Sequence, residues 1–198
     1  MKRFFYCLLL IVSFSAHAQY SLYDSVNTRH NKISKTGTLL LSGWAAASLI
    51  SGLVGQNNST GKLKYFYKRN VLWGGINLGL SGLGYLRTKR EQKDVYTSAQ
   101  TFKRVEAAQK VFLFNTGLDL AYVAFGLYTR ERSNKFTGDK KDRLVGTGNS
   151  LLFQGGFLTV FDGVLYLLHN KNGNRLEKKL EGLSFISSGD GVGLAYRF

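Results

Sequence analysis

Two carboxylates lie where carboxylates are rare: Asp119, inside the apolar stretch Val111–Thr129, and Asp162, the one charge in Leu144–Leu168. A carboxylate inside a hydrocarbon layer costs about 3 kcal/mol on insertion scales, so it must be hydrogen-bonded, protonated or wet. Such a group can take up a proton or a cation. It can equally hold helices in register through an interhelical hydrogen bond. No second acidic residue is expected at the depth of Asp119, and proline-broken helices of the kind transporters use are absent from the sequence. The register role is therefore preferred, with transport as the alternative.

Other chemistry is poorly supplied. The histidines His17, His30 and His169 form no metal-ligand spacing with one another or with an acidic residue. Cys7 is the sole cysteine and falls in the N-terminal segment, which removes disulfides and thiolate nucleophiles from the rest of the chain. No Gly-x-Ser-x-Gly elbow occurs, and Gly146-Thr147-Gly148-Asn149-Ser150 lacks the lysine of a phosphate loop. Neither a cofactor nor a metal is expected, and the chain does not read as an enzyme.

The elements that must carry these residues are helices. The 198 residues are 44% hydrophobic, with 23 glycines and no proline, which favours uninterrupted helices rich in small residues. Residues 1–18 read as a signal peptide: Lys2 and Arg3, the apolar Phe4–Phe14, then the cleavage signal Ala16-His17-Ala18. An exposed lead-in (19–35) precedes a four-helix bundle (36–170) with helices at 36–55, 70–86, 97–129 and 144–168. Between the first two, Lys62–Arg69 mixes basic and aromatic residues as membrane interfaces do. Thr97 and Gln100 have capping-box spacing, so the third helix is expected to start there and run unbroken through Val111–Thr129. Asn172-Gly173-Asn174 reads as a turn. In the tail (171–198), Gly189-Asp190-Gly191 and the alternation of Val192, Leu194, Tyr196 and Phe198 predict a β-hairpin. That ending resembles the last strand of outer-membrane barrels, but nothing upstream supplies further strands of that kind. The fold class is thus all-α: a four-helix membrane-embedded bundle with a short C-terminal hairpin.

Depth matching about the loops puts Ser48, Asn77, Asp119 and Gln154 at one level, as a polar layer inside the bundle. Asp162 falls level with Lys110 near a membrane face, where an ion pair is expected. Small residues every fourth position (Gly43, Ala47, Ser51 and Gly55; Gly75 and Gly79; Gly117 and Ala121; Gly155, Thr159 and Gly163) are expected to form the helix contacts. A faint repeat relates Phe114-x-Thr116-x-x-Asp119 to Phe157-x-Thr159-x-x-Asp162.

The net charge of +15 suits anionic lipid headgroups. Membrane lipid is the expected partner, with another membrane protein or a second copy of the chain on the glycine-lined faces; nucleic acid is not. Cleavage after Ala18 would leave the more basic set of loops outside, against the positive-inside rule. The whole resembles small uncharacterised bacterial families of signal-bearing, multi-span membrane proteins. That resemblance implies no activity, and the expected address is the cell-envelope membrane, inner rather than outer. Three roles stand: a structural or partner-binding envelope protein, a small transporter or ion-conducting protein using Asp119, and a periplasmic lipid-binding bundle.

Overall fold

The structure, a computed structural model, describes the backbone of residues 2–181, 183–188 and 191–196 and the side chains of residues 23–178. Four helices carry it: α1 (Lys2–Asn58), α2 (Gly61–Glu91), α3 (Ser98–Ser133) and α4 (Gly138–Glu181). Two short strands follow, β1 (Leu183–Ser188) and β2 (Gly191–Tyr196), paired antiparallel with Leu183 opposite Tyr196. Gly189 and Asp190 fall outside the described residues. Consecutive helices form two hairpins, α1 with α2 and α3 with α4, and α4 also packs on both α1 and α2. Helices α2 and α3 do not pack on each other. That gap positions the site.

The bundle is built inside out relative to a water-soluble one. Among the described residues sixteen polar or charged side chains are buried, against eight apolar ones. Leu40, Ile50, Leu83, Phe114, Val160 and Leu167 are meanwhile 60–67% exposed. Burying polar groups while leaving leucines outside suits surroundings as apolar as leucine. Three helices are long and apolar enough to cross a membrane: α1 over Tyr23–Asn58, α3, and α4 over Gly138–Lys178. In α2 the uncharged run is confined to Asn70–Leu86, because Lys62–Arg69 and Arg87–Glu91 are helical as well.

The helices are longer than the apolar stretches suggest. The loops shrink to Ser59–Thr60, the segment after Glu91, and the residues between Ser133 and Gly138. Gly61 and Gly138 take φ of +56° and +57° at the tight starts of α2 and α4, where a side chain would be strained. The capping box at Thr97 forms as expected: the Thr97 Oγ1 accepts from the Gln100 N–H at 3.3 Å, and the Gln100 Oε1 accepts from the Thr97 N–H at 2.9 Å. From it α3 runs unbroken to Ser133.

Two expectations are corrected. The lead-in 19–35 is not an exposed coil; it belongs to α1, continuous in backbone with the expected signal segment, whose side chains fall outside the described residues. Val26, His30, Ile33 and Gly37 make a buried stripe at helical spacing, and Val26 packs with Val105 and Leu176. Polar members of that stripe disguised it. Asn172-Gly173-Asn174 is likewise no turn but part of α4. The Asn172 Nδ2 donates to the Val26 carbonyl at 3.0 Å, and Gly173 sits where a Cβ would lie 3.1 Å from Val105 Cγ1.

Of the glycines expected at helix contacts, Gly55 and Gly155 do lie against a neighbouring helix, where a Cβ would meet the Tyr67 ring and the Asp119 carbonyl, and the others do not. A Cβ on Gly43, Gly75, Gly79, Gly117 or Gly163 would meet nothing within 4 Å. A Cβ on Gly74 would lie 2.7 Å from Leu49 N and 2.9 Å from the Ala45 carbonyl oxygen, so α1 and α2 approach there through bare backbone. Backbone atoms cannot step aside as a flexible side chain can. Gly74→Val is expected to lower stability by about 1–3 kcal/mol or more, read as a fall in Tm in detergent. Gly79→Val should leave Tm nearly unchanged. Sensitivity at Gly79 rather than Gly74 would reverse the assignment of these faces.

Candidate functional site

Where α2 and α3 fail to meet, the bundle holds a cavity of about 460 Å³ reached by all four helices. Two side-chain bridges cross the gap. The Trp73 and Tyr122 rings stand edge to face at 5.0 Å, and further along the Arg104 Nη2 donates to Glu91 Oε2 at 2.7 Å. Polar side chains interrupt a largely apolar wall: Asn77 and Ser81 from α2, Asn115 and Asp119 from α3, Asp162 from α4. This volume suits a small molecule or a file of waters.

The four residues expected in one polar layer fall into two groups. Gln154 and Ser48 do meet, joined by the Gln154 Nε2 donating at 3.1 Å. The same Nε2 donates to Asn70 Oδ1 at 3.2 Å, Ser150 Oγ donates to that oxygen at 2.7 Å, and the Trp44 indole donates to Gln154 Oε1 at 2.8 Å. Sequence reasoning missed Trp44, Asn70 and Ser150. Asn77 and Asp119 stand apart from this network and face the cavity, and Asn77 Nδ2 and Asp119 Oδ2 have no protein partner there.

The expected ion pair between Lys110 and Asp162 does not form. Lys110 bonds Glu106 on its own helix at 2.7 Å, while Asp162 is buried with its carboxyl beside that of Asp119. The cause is the tilt of helical side chains. Gly155 faces the Asp119 carbonyl, Tyr122 and Val123, so Asp162 stands roughly one turn from Asp119 along the antiparallel pair. Each Cα–Cβ bond leans toward its own N-terminus, and in antiparallel helices these two lean toward each other. Two carboxyl groups can hydrogen-bond only with a proton between them. Two carboxyls this close repel unless a proton or a cation lies between them.

Two further features line the end of the cavity nearest the α2–α3 connection. His30, which lines the cavity, and His169 pack with ring centroids 4.8 Å apart, and His169 stacks on Phe112. His30 Nδ1 and both His169 nitrogens have no protein partner. Sequence reasoning placed one in an exposed lead-in and the other at a helix end. Among the described residues no group of three or more metal-ligating side chains lies together.

The second feature is a clasp on Glu91. Arg87 Nε and Arg104 Nη2 both donate to it at 2.7 Å, and Arg104 also donates to Asn27 and Asn31 at 2.8 Å and covers the Tyr96 ring. Burial alone would push the Glu91 carboxyl up; the two arginines outweigh it and hold the group below its ordinary value of 4.5. A lowered carboxylate stabilises the fold above that ordinary value, and the contribution is lost as pH falls through the folded one. Glu91→Gln is expected to be about 1–3 kcal/mol less stable at neutral pH. In thermal melts the gap from wild type should close below pH 4.5. A pH-independent gap would show that the charge is not what holds the clasp.

A family model described as "Family of unknown function (DUF6992)" matches residues 40–163. No curated protein and no solved structure matches the chain. The matched region holds Ser48, Asn70, Asn77, Asp119, Gln154 and Asp162, and leaves out His30 and His169.

Proposed function

The chain belongs to DUF6992, a family of unknown function, and we propose that it is a small transporter or ion-conducting membrane protein whose Asp119–Asp162 pair takes up a proton or small cation from the cavity. One observation carries this reading: the second carboxylate absent from the expected layer lies beside the first, in a cavity of about 460 Å³. A single satisfied aspartate would serve as a register device. Two carboxyls sharing a site, with unpartnered polar atoms beside them, are poor glue, because half-satisfied buried groups destabilise. The aromatic rings of Trp73, Tyr122 and Phe161 in the same wall favour a cation over an anion.

The proposed address is the bacterial cell-envelope membrane, inner rather than outer, reached through a signal removed after Ala18. Retention of the chain in membranes through a carbonate wash tests that part. Flux of protons or monovalent cations into vesicles reconstituted with wild type, compared with Asp162→Asn, tests the activity.

A second reading, a structural or partner-binding role, is favoured by one feature. Gly75 and Gly79 keep helical spacing on α2 with open space before them. Under that reading the aspartate variants would conduct as wild type does, and Gly79→Leu would abolish co-purification with the partner.

A further inference from the structure

On the far side of the bundle α1 and α4 enclose a groove of about 910 Å³. Its sides are apolar: Leu40, Gly43 and Ala47 from α1, Val160, Val164 and Leu168 from α4. Its floor is flat and held in place, because the Trp44 ring stacks on Phe157 at 3.7 Å and the Trp44 indole N–H is fixed by Gln154. One end is different: Arg29 and Lys32 line it, and among the described residues neither forms a salt bridge.

We propose that this groove binds one acyl chain of an anionic phospholipid, with Arg29 and Lys32 holding the headgroup phosphate. The dimensions agree. From Thr36 to Ala47 the wall rises about 17 Å at ~1.5 Å per residue, roughly half of a ~30 Å hydrocarbon core. A chain lying in the groove therefore fills one leaflet and leaves its headgroup level with the two cations. Two unpaired cations beside an apolar slot complement an anionic amphiphile; a zwitterionic lipid would bring its own cation to the same place. A second protein helix in the groove would have to supply its own acidic residues at that end. The inference rests on the membrane reading but not on the carboxyl pair.

Gly43 provides the test, since it lines the groove and a Cβ there would meet nothing within 4 Å, so Gly43→Leu puts its side chain into the slot without displacing helix backbone. Protein in nanodiscs of phosphatidylcholine doped with phosphatidylglycerol is released into detergent, and the retained lipid is read by native mass spectrometry. Wild type is expected to retain phosphatidylglycerol over phosphatidylcholine by roughly thirtyfold, as two cations near a headgroup imply. Arg29→Gln/Lys32→Gln should retain both lipids equally, and Gly43→Leu should retain neither while keeping its Tm. Equal retention of the two lipids by wild type would overturn the proposal. So would undiminished phosphatidylglycerol on Gly43→Leu, or a groove that cross-links to a second copy of the chain. Release of the chain from membranes by carbonate would instead sink the membrane reading itself.

Discussion

Asp162→Asn is expected to cut cation or proton flux through reconstituted vesicles by roughly 10- to 100-fold, because a hydrogen bond to a charged group is worth about 1.5–3 kcal/mol. Asparagine keeps the shape of aspartate and can still bond its neighbour, so helicity and Tm should stay at wild-type levels. Asp119→Asn should behave alike. The informative variant is the double one. Residues that act as one unit are strongly non-additive, so Asp119→Asn/Asp162→Asn should conduct no worse than either single change. Multiplying losses would mean two independent sites and would end the shared-pair reading. Unchanged flux with a lower Tm would return both residues to a register role.

The other large effect falls on stability. Gln154→Leu removes the partner of Trp44, Ser48 and Asn70 together. Interhelical hydrogen bonds in membrane proteins average about 0.6 kcal/mol and reach about 1.7. Three bonds, with polar groups left buried, imply a loss of about 2–5 kcal/mol, measured by unfolding in mixed micelles. Flux per folded molecule should not change, since Gln154 does not line the cavity. A shift under about 0.5 kcal/mol would show the network to be redundant.

Much of this is legible in the sequence. Thr97 and Gln100 announce the start of α3, and the four-helix order follows from the apolar stretches. Ser48 and Gln154 were placed together by depth alone. What depth cannot supply is direction around the helix axis. Asp119 on α3 and Gln154 on α4 match in depth yet serve different places, Asp119 the cavity and Gln154 the bond to Trp44. The cue that could have found the carboxyl pair was the repeat relating Phe114–Asp119 to Phe157–Asp162, since matched positions on antiparallel neighbours can lean together. The stripe from Val26 to Gly37 was hidden because Asn27 and His30 sit within it. In a bundle with a polar interior, hydrophobicity marks the outside. The same inversion explains why glycines chosen for spacing, such as Gly75 and Gly79, face outward, while Gly74 forms the contact.

The network around Gln154 also sets a timetable for assembly. Gln154 follows Asn70 by 84 residues and Ser48 by 106. At synthesis rates of roughly 5–20 residues per second, Asn70 waits about 4–17 s for it. An α1–α2 hairpin formed within that interval would leave its indole, hydroxyl and amide unanswered, a state that an apolar surrounding tolerates poorly. The latch of the bundle is its last helix.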